Sequence, residues 1–284
     1  MPVIQTQNWL NKFVKLCEEK SGREANYKQS EIICEPLMKF FPQVNVEVVH
    51  YELLRNGLFQ ANEWRSINKI VKRLEEQDVW QIVKQEYKLL RKMWSGPKVS
   101  IYIFPIKNAN AKPKKGLPPK NGVAYKGAIF LFLTAGLPLE EIKALLAHEY
   151  NHVCRLAHLN LSPDKIPLRD SLIIEGLGEY AVKELYGEKW LAPWVDLYPL
   201  EESMEIWKKY FLPSLDVKGV KHHQPFLYGQ GSGRLPKWIG YHIGYQIVHT
   251  FQEKHGPFKN GELYTKSCNE IIKGSNYPIN QGDI

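Results

Sequence analysis

The sequence predicts a mainly helical α+β fold, in which a small β-sheet is followed by one strongly marked helix and a helical C-terminal lobe. Three observations carry this. Apolar residues recur at three- and four-residue steps along most of the chain. Two short runs rich in β-branched and aromatic residues stand between positions 98 and 135. A stretch dense in Pro, Gly, Asn and Lys separates them.

Residues 1–95 read as a helical N-terminal region. Trp9, Phe13, Leu16 and Cys17 repeat at helical spacing, as do Ile67, Ile70, Val71 and Leu74. Tyr51 to Trp94 holds no proline and one glycine, which fits long helices. Val99–Pro105 then reads as a strand, Lys107–Gly122 as a loop and Gly127–Thr134 as a second strand. Helix resumes at Pro138 and dominates to about His255; the tail from Gly256 is too mixed to assign.

The helix after Pro138 carries the chemistry. Pro138 suits a first turn, and Glu140 and Glu141 complement the positive end of the helix dipole. Ile142, Leu145, Leu146, Val153, Leu156 and Ala157 repeat at helical spacing, and Asn160 and Pro163 mark the end. His148-Glu149-Tyr150-Asn151-His152 therefore lies on a helix. Four residues turn through about 400° and rise about 6 Å, so both imidazoles project from one face. Two nitrogens so placed can share one Zn²⁺ at the usual bond length of about 2.0–2.1 Å. Glu149 is offset by about 100°, close enough to serve as a general base without being a close ligand. An unpaired carboxylate in this apolar register would be costly, and a nearby cation removes that cost.

A catalytic zinc wants a third protein ligand and one position left for water. Asp170 or Ser171 can cap a second helix, carried by Leu172, Ile173, Ile174, Leu177, Ala181 and Leu185 and stopped by Gly187. Glu175 and Glu179 share a face of it. The economical reading is that Glu175 ligates the metal and Glu179 orients a ligand histidine. The alternatives are a solvated stripe with Lys183 and Glu184, or His158 as third ligand. A third helical element, Pro236–Phe251, carries the small-residue pair Gly240 and Gly244, suited to close helix packing. Beside it stand Tyr241, His242 and Tyr245, candidates to stabilise a developing oxyanion, with Tyr241 the first choice. They can equally fill core, the preferred reading for Tyr245. His222-His223 reads as a surface loop, with an active-site flap as the alternative.

His148-Glu149-x-x-His152 followed 23 positions later by Glu175-Gly-Leu-Gly-Glu179 resembles the gluzincin metallopeptidases, the thermolysin-like group. The form His-Glu-Tyr-Asn-His-Val, then Glu-Gly-Leu-Gly-Glu-Tyr, then Gly240-Tyr-His-Ile-Gly-Tyr245 looks like the YjaZ-type predicted zinc-dependent proteases of bacteria. The likeness covers about residues 98–255. It departs at Asn151, where a second His is frequent, and at Glu179, where gluzincins often have Asp. The resemblance implies a small zincin-type β-sheet followed by the active-site helix, a zincin-like metallopeptidase domain over 96–284, and a peptide or protein substrate. It also implies that the strand Gly127–Thr134 is the sheet edge to which a peptide adds. The residues themselves allow a fully buried strand equally well.

Bulk properties bound the rest. With 284 residues, 44% of them hydrophobic, the chain can bury a sizeable core. The charged fraction of 24% excludes a disordered class. Met1–Phe13 lacks the apolar core of a signal peptide, no run is long enough to span a bilayer, and Cys17, Cys34, Cys154 and Cys268 have no paired spacing. These point to the cytoplasm. The formal charge of +8 is spread along the chain; its densest cluster, Lys112-Pro-Lys-Lys115, lies in a loop-like stretch without a groove-reading motif. A nucleic-acid partner is therefore not expected. The function expected is a zinc-dependent peptidase. The alternative is a non-proteolytic regulatory or nucleic-acid-binding protein that retains the fold. Hydrolysis of a non-peptide substrate is a third reading. No feature fixes the oligomeric state.

Overall fold

The structure, a computed structural model, describes residues 2–20, 22–109, 119–229, 235–259 and 261–277. The basic cluster Lys112–Lys115 lies outside the described residues. The fold is mainly helical α+β with one three-stranded sheet, as the sequence predicts. The chain divides into two compact units, residues 1–150 and 151–284.

The first unit opens with α1 (Thr6–Glu19) and α2 (Ala25–Gln29), followed by a π turn over Ser30–Cys34 and a 3₁₀ turn over Glu35–Phe40. Then come α3 (Val46–Arg55), α4 (Trp64–Glu76) and α5 (Val79–Trp94). Asn45 caps α3, its side chain accepting from the Val48 amide at 3.0 Å. The proline-free stretch after Tyr51 is nonetheless broken twice, at Gly57 with φ 118° and at Asp78 with φ 54°. Left-handed residues end helices as effectively as proline does.

The strands are β1 (Ser100–Pro105), β2 (Lys120–Tyr125) and β3 (Ala128–Leu133), in the order β1-β3-β2. β3 runs parallel to β1 and antiparallel to β2. Two expectations are corrected here. Residues 120–122 are strand rather than loop, because pairing with β3 overrides the turn signal of Asn121-Gly122. The run containing β3 is the centre of the sheet, not its edge; all six of its residues are buried, as a strand covered on both faces requires. The edge is β2. β1 is covered on its other side by Ile4 and Phe59, whose amides bond Ile101 and Pro105 carbonyls at 2.9 and 3.2 Å. On one sheet face Tyr102 and Phe130 stack at 5.1 Å, with Trp9 and Phe40 against Tyr102.

The helix α6 (Leu139–Leu159) follows the sheet, and the boundary between the units falls within it. Its first residue is Leu139; Pro138 stands just outside, its carbonyl accepting from the Ile142 amide at 3.3 Å.

The second unit holds α7 (Leu168–Tyr186), α8 (Leu200–Ile206), α9 (Val220–Tyr228), α10 (Ile239–His255), α11 (Glu262–Thr265) and α12 (Cys268–Gly274). Asp170 and Ser171 do not cap α7, which starts two residues earlier. Its first free amides are satisfied by main chain instead: Leu168 donates to the Val217 carbonyl at 2.8 Å and Arg169 to that of Leu215 at 3.1 Å. α10 starts at Ile239 rather than Pro236, after Trp238 at φ 64°. The stretch read as a loop around His222-His223 is α9, and His223 is buried between the Ser171 hydroxyl and the Val217 carbonyl, both at 2.8 Å. α12 begins with a reciprocal Ser267/Glu270 capping box. All four cysteines are free and buried, and burial pushes the Cys34 and Cys268 thiols up to about 12.

The glycines of α10 do what their spacing predicts, against separate partners. A Cβ on Gly244 would stand 2.3 Å from the Leu172 carbonyl oxygen, and one on Gly176 2.1 Å from that of Gly244. α7 and α10 therefore meet backbone to backbone. Gly240 meets α9 instead, 2.6 Å from the Leu227 Cα on the same construction. No flexible side-chain end is available to yield at Gly176 and Gly244. Gly176→Ala should cost about 1–3 kcal/mol or more through overpacking. Thermal denaturation checks this, with a fall of about 2–4 °C expected for each kcal/mol.

Candidate metal centre

Every residue of α6 from 144 to 155 is buried. A helix buried on all sides suits apolar residues, yet this run holds His148, Glu149, Asn151, His152 and Arg155. Each needs compensation from charge or hydrogen bonds. Arg155 receives it from main chain, donating to the Tyr264 and Lys266 carbonyls at 3.0 and 2.6 Å, with Asp170 at 3.8 Å. Tyr150 between them fixes the helix: its hydroxyl donates to the Pro97 carbonyl at 3.0 Å, and its ring stacks on Trp94.

His148, His152 and Glu175 come together. One donor atom from each lies within 4.8 Å of the other two. His148 and His152 are each 9% exposed, so a group bound there would be shielded without being sealed off. Glu175, on the second turn of α7, is half-buried, and its Oε2 lies 3.4 Å from His152 Nε2. Two ligands on a tetrahedral zinc with bonds of about 2.0–2.1 Å stand about 3.3–3.4 Å apart. The donor set, two imidazoles and one carboxylate, is the kind that binds zinc with a position left open. His158, the rival third ligand, is exposed and stands outside this group.

Glu149 points to the sheet side of α6. The residue is 6% exposed, and its carboxylate lies over Gly122 of β2. The edge strand is also tied to α6 through Lys120, whose Nζ is 3.0 Å from the Glu141 carboxylate. Nothing in the spacing of the motif announces Gly122. Its neighbours do not either, since Asn121-Gly122 reads as a turn.

Glu179 is 4% exposed, and its Oε2 accepts a hydrogen bond from the Ala192 amide at 2.9 Å. Tyr241 is half-buried among aromatic rings, 5.2 Å from Trp194, 5.3 Å from Trp238 and 5.5 Å from Tyr228. His242 is buried, and burial lowers its pKa, so the ring is neutral near pH 7. Tyr245 stacks on His249 at 5.4 Å; burial first, then Glu188 and Glu179, raise its pKa, so it stays a phenol. No helix among the described residues is long and apolar enough to cross a membrane.

Comparison with known proteins gives three findings. A family described as "Predicted Zn-dependent protease (DUF2268)" matches residues 79–273. The chain is 33% identical over 248 residues to the uncharacterized protein YjaZ of Bacillus subtilis (strain 168), covering 87% of this chain and 90% of that one. It is 31% identical over 128 residues to the uncharacterized protein YjfC of the same organism, covering 41% and 42% respectively.

The geometry separates the two candidate third ligands. Glu175→Ala should weaken zinc binding by about tenfold or more, whereas His158→Ala should leave it unchanged. Competition of each purified variant against a chromophoric chelator measures both.

Proposed function

The chain belongs to the DUF2268 family of predicted Zn-dependent proteases, and from that premise and a triad that could hold a metal ion we propose that it is a zinc-dependent peptidase. The convergence of His148, His152 and Glu175 donor atoms within 4.8 Å carries the reading. These three residues would hold Zn²⁺. When bound, zinc supplies a Lewis acid and brings the pKa of a coordinated water down from 15.7 to about 7.

The remaining work falls to the chain's own groups. Glu149, next to His148 in sequence but turned from it, takes a proton on its carboxylate as water attacks the amide carbonyl. It then delivers that proton to the departing amine nitrogen, so that it ends as it began. Tyr241 is the proposed donor to the oxygen that becomes negative, its ring held by Trp194 and Trp238. Glu179 is the proposed support for a ligand histidine.

A peptide or protein as substrate is supported by the family and by β2, an edge strand next to Glu149. An edge offers main-chain groups to any sequence, which suits a chain-like substrate more than a small polar one.

Glu149→Gln should retain one zinc per chain and lose peptide hydrolysis by about 10²–10⁴-fold. His148→Ala should lose both. Metal analysis by mass spectrometry together with cleavage of a fluorogenic peptide library reads both quantities. Hydrolysis by Glu149→Gln at the parent rate would overturn the assignment.

A further inference from the structure

A Cβ built on Gly122 would stand 2.5 Å from Glu149 Cγ, 2.6 Å from Oε1 and 2.7 Å from Cδ. Real Cβ contacts essentially never fall under 3.0 Å, so any side chain at this position must move something. At Gly176 and Gly244 the obstruction is backbone carbonyl and cannot yield. Here the three nearest atoms all belong to one side chain, that of Glu149.

Neither partner of the contact is free to drift away. β2 is fixed by its register with β3, in which Gly122 faces Leu131. It is fixed to the start of α6 by Lys120 and Glu141 at 3.0 Å. α6 is fixed one residue past Glu149 by the Tyr150 hydroxyl on the Pro97 carbonyl at 3.0 Å. With both backbones held, the torsions of Glu149 are the soft degrees of freedom. A substitution at 122 therefore relocates the carboxylate at little cost to the fold. The conformation of Gly122 does not require glycine, since its φ lies outside the left-handed region. Its reason for being glycine is the space it leaves.

We propose that Gly122 is a positioning residue for Glu149: the bare backbone of the edge strand is the seat that holds the carboxylate in place beside the metal ligands. The contact stands on geometry alone. Its consequence for turnover rests on the peptidase reading above.

The test is a double-mutant cycle between Gly122→Ala and Glu149→Ala, read by thermal denaturation and zinc content as well as by activity. In the parent background, Gly122→Ala should lower Tm by about 2–4 °C. In the Glu149→Ala background the same change should cost nothing or stabilise, because the atoms it meets are gone. The backbone effect of replacing glycine is common to both arms and cancels. Gly122→Ala should keep one zinc per chain and lower kcat by about 10²-fold with KM little changed, as a misplaced catalytic group does. An equal fall in Tm in both backgrounds, or unchanged kcat in an active Gly122→Ala protein, overturns the proposal. If Gly122→Ala alone fails to fold, recovery of folding in the double variant supports it and continued misfolding overturns it. A parent protein that cleaves no peptide would sink the proposed function, while the Tm cycle would still decide the contact.

Discussion

The site depends on how α6 buries charge. Twelve consecutive residues of this helix, 144 to 155, lie away from water, and among them are His148, Glu149, Asn151, His152 and Arg155. Transfer of an isolated carboxylate or guanidinium into such surroundings is prohibitive. Such side chains are stabilised where partners are placed for them. Arg155 is matched by two carbonyls and Asp170. His148 and His152 converge with Glu175 on one point, where a divalent cation would offset the carboxylate and use the imidazole lone pairs.

The same economy of space governs both units, through different atoms. In the second unit, glycines bring α7 and α10 into backbone contact, which sets the position of the turn that carries Glu175. In the first, a glycine on β2 accommodates the side chain of Glu149. Removing a side chain does two jobs here: it lets helices approach, and it leaves room for a functional group. The first is expensive to violate because backbone cannot move; the second displaces a flexible side chain and is cheaper in stability.

Much of this could be read from the chain. The five-residue motif lies on a helix because apolar residues repeat around it, and its two histidines share a face by helical geometry alone. Glu175 and Glu179 stood out as aligned carboxylates on an apolar helix, and Glu175 does join the histidines. Close packing was legible in Gly240 and Gly244, but not its partners, since a stripe of small residues carries no information about what faces it. β2 was hidden because Asn121-Gly122 has turn chemistry, and only pairing with β3 makes it a strand. The central place of β3 was hidden too, since an apolar run reports burial but not neighbours. The Gly122–Glu149 contact spans two elements and leaves no periodic trace. His223 is a further case: next to Pro and Gly it reads as loop, yet Ser171 and Val217 fix both ring nitrogens inside the fold.

The central claim is that two imidazoles of α6 and one carboxylate of α7 bind a single zinc. X-ray absorption at the zinc edge on the purified protein tests it most directly. The expected spectrum shows a shell of nitrogen and oxygen at about 2.0–2.1 Å, with the outer-shell scattering of two imidazole rings. A sulfur shell at about 2.3 Å, which would place the metal on a cysteine, would contradict it.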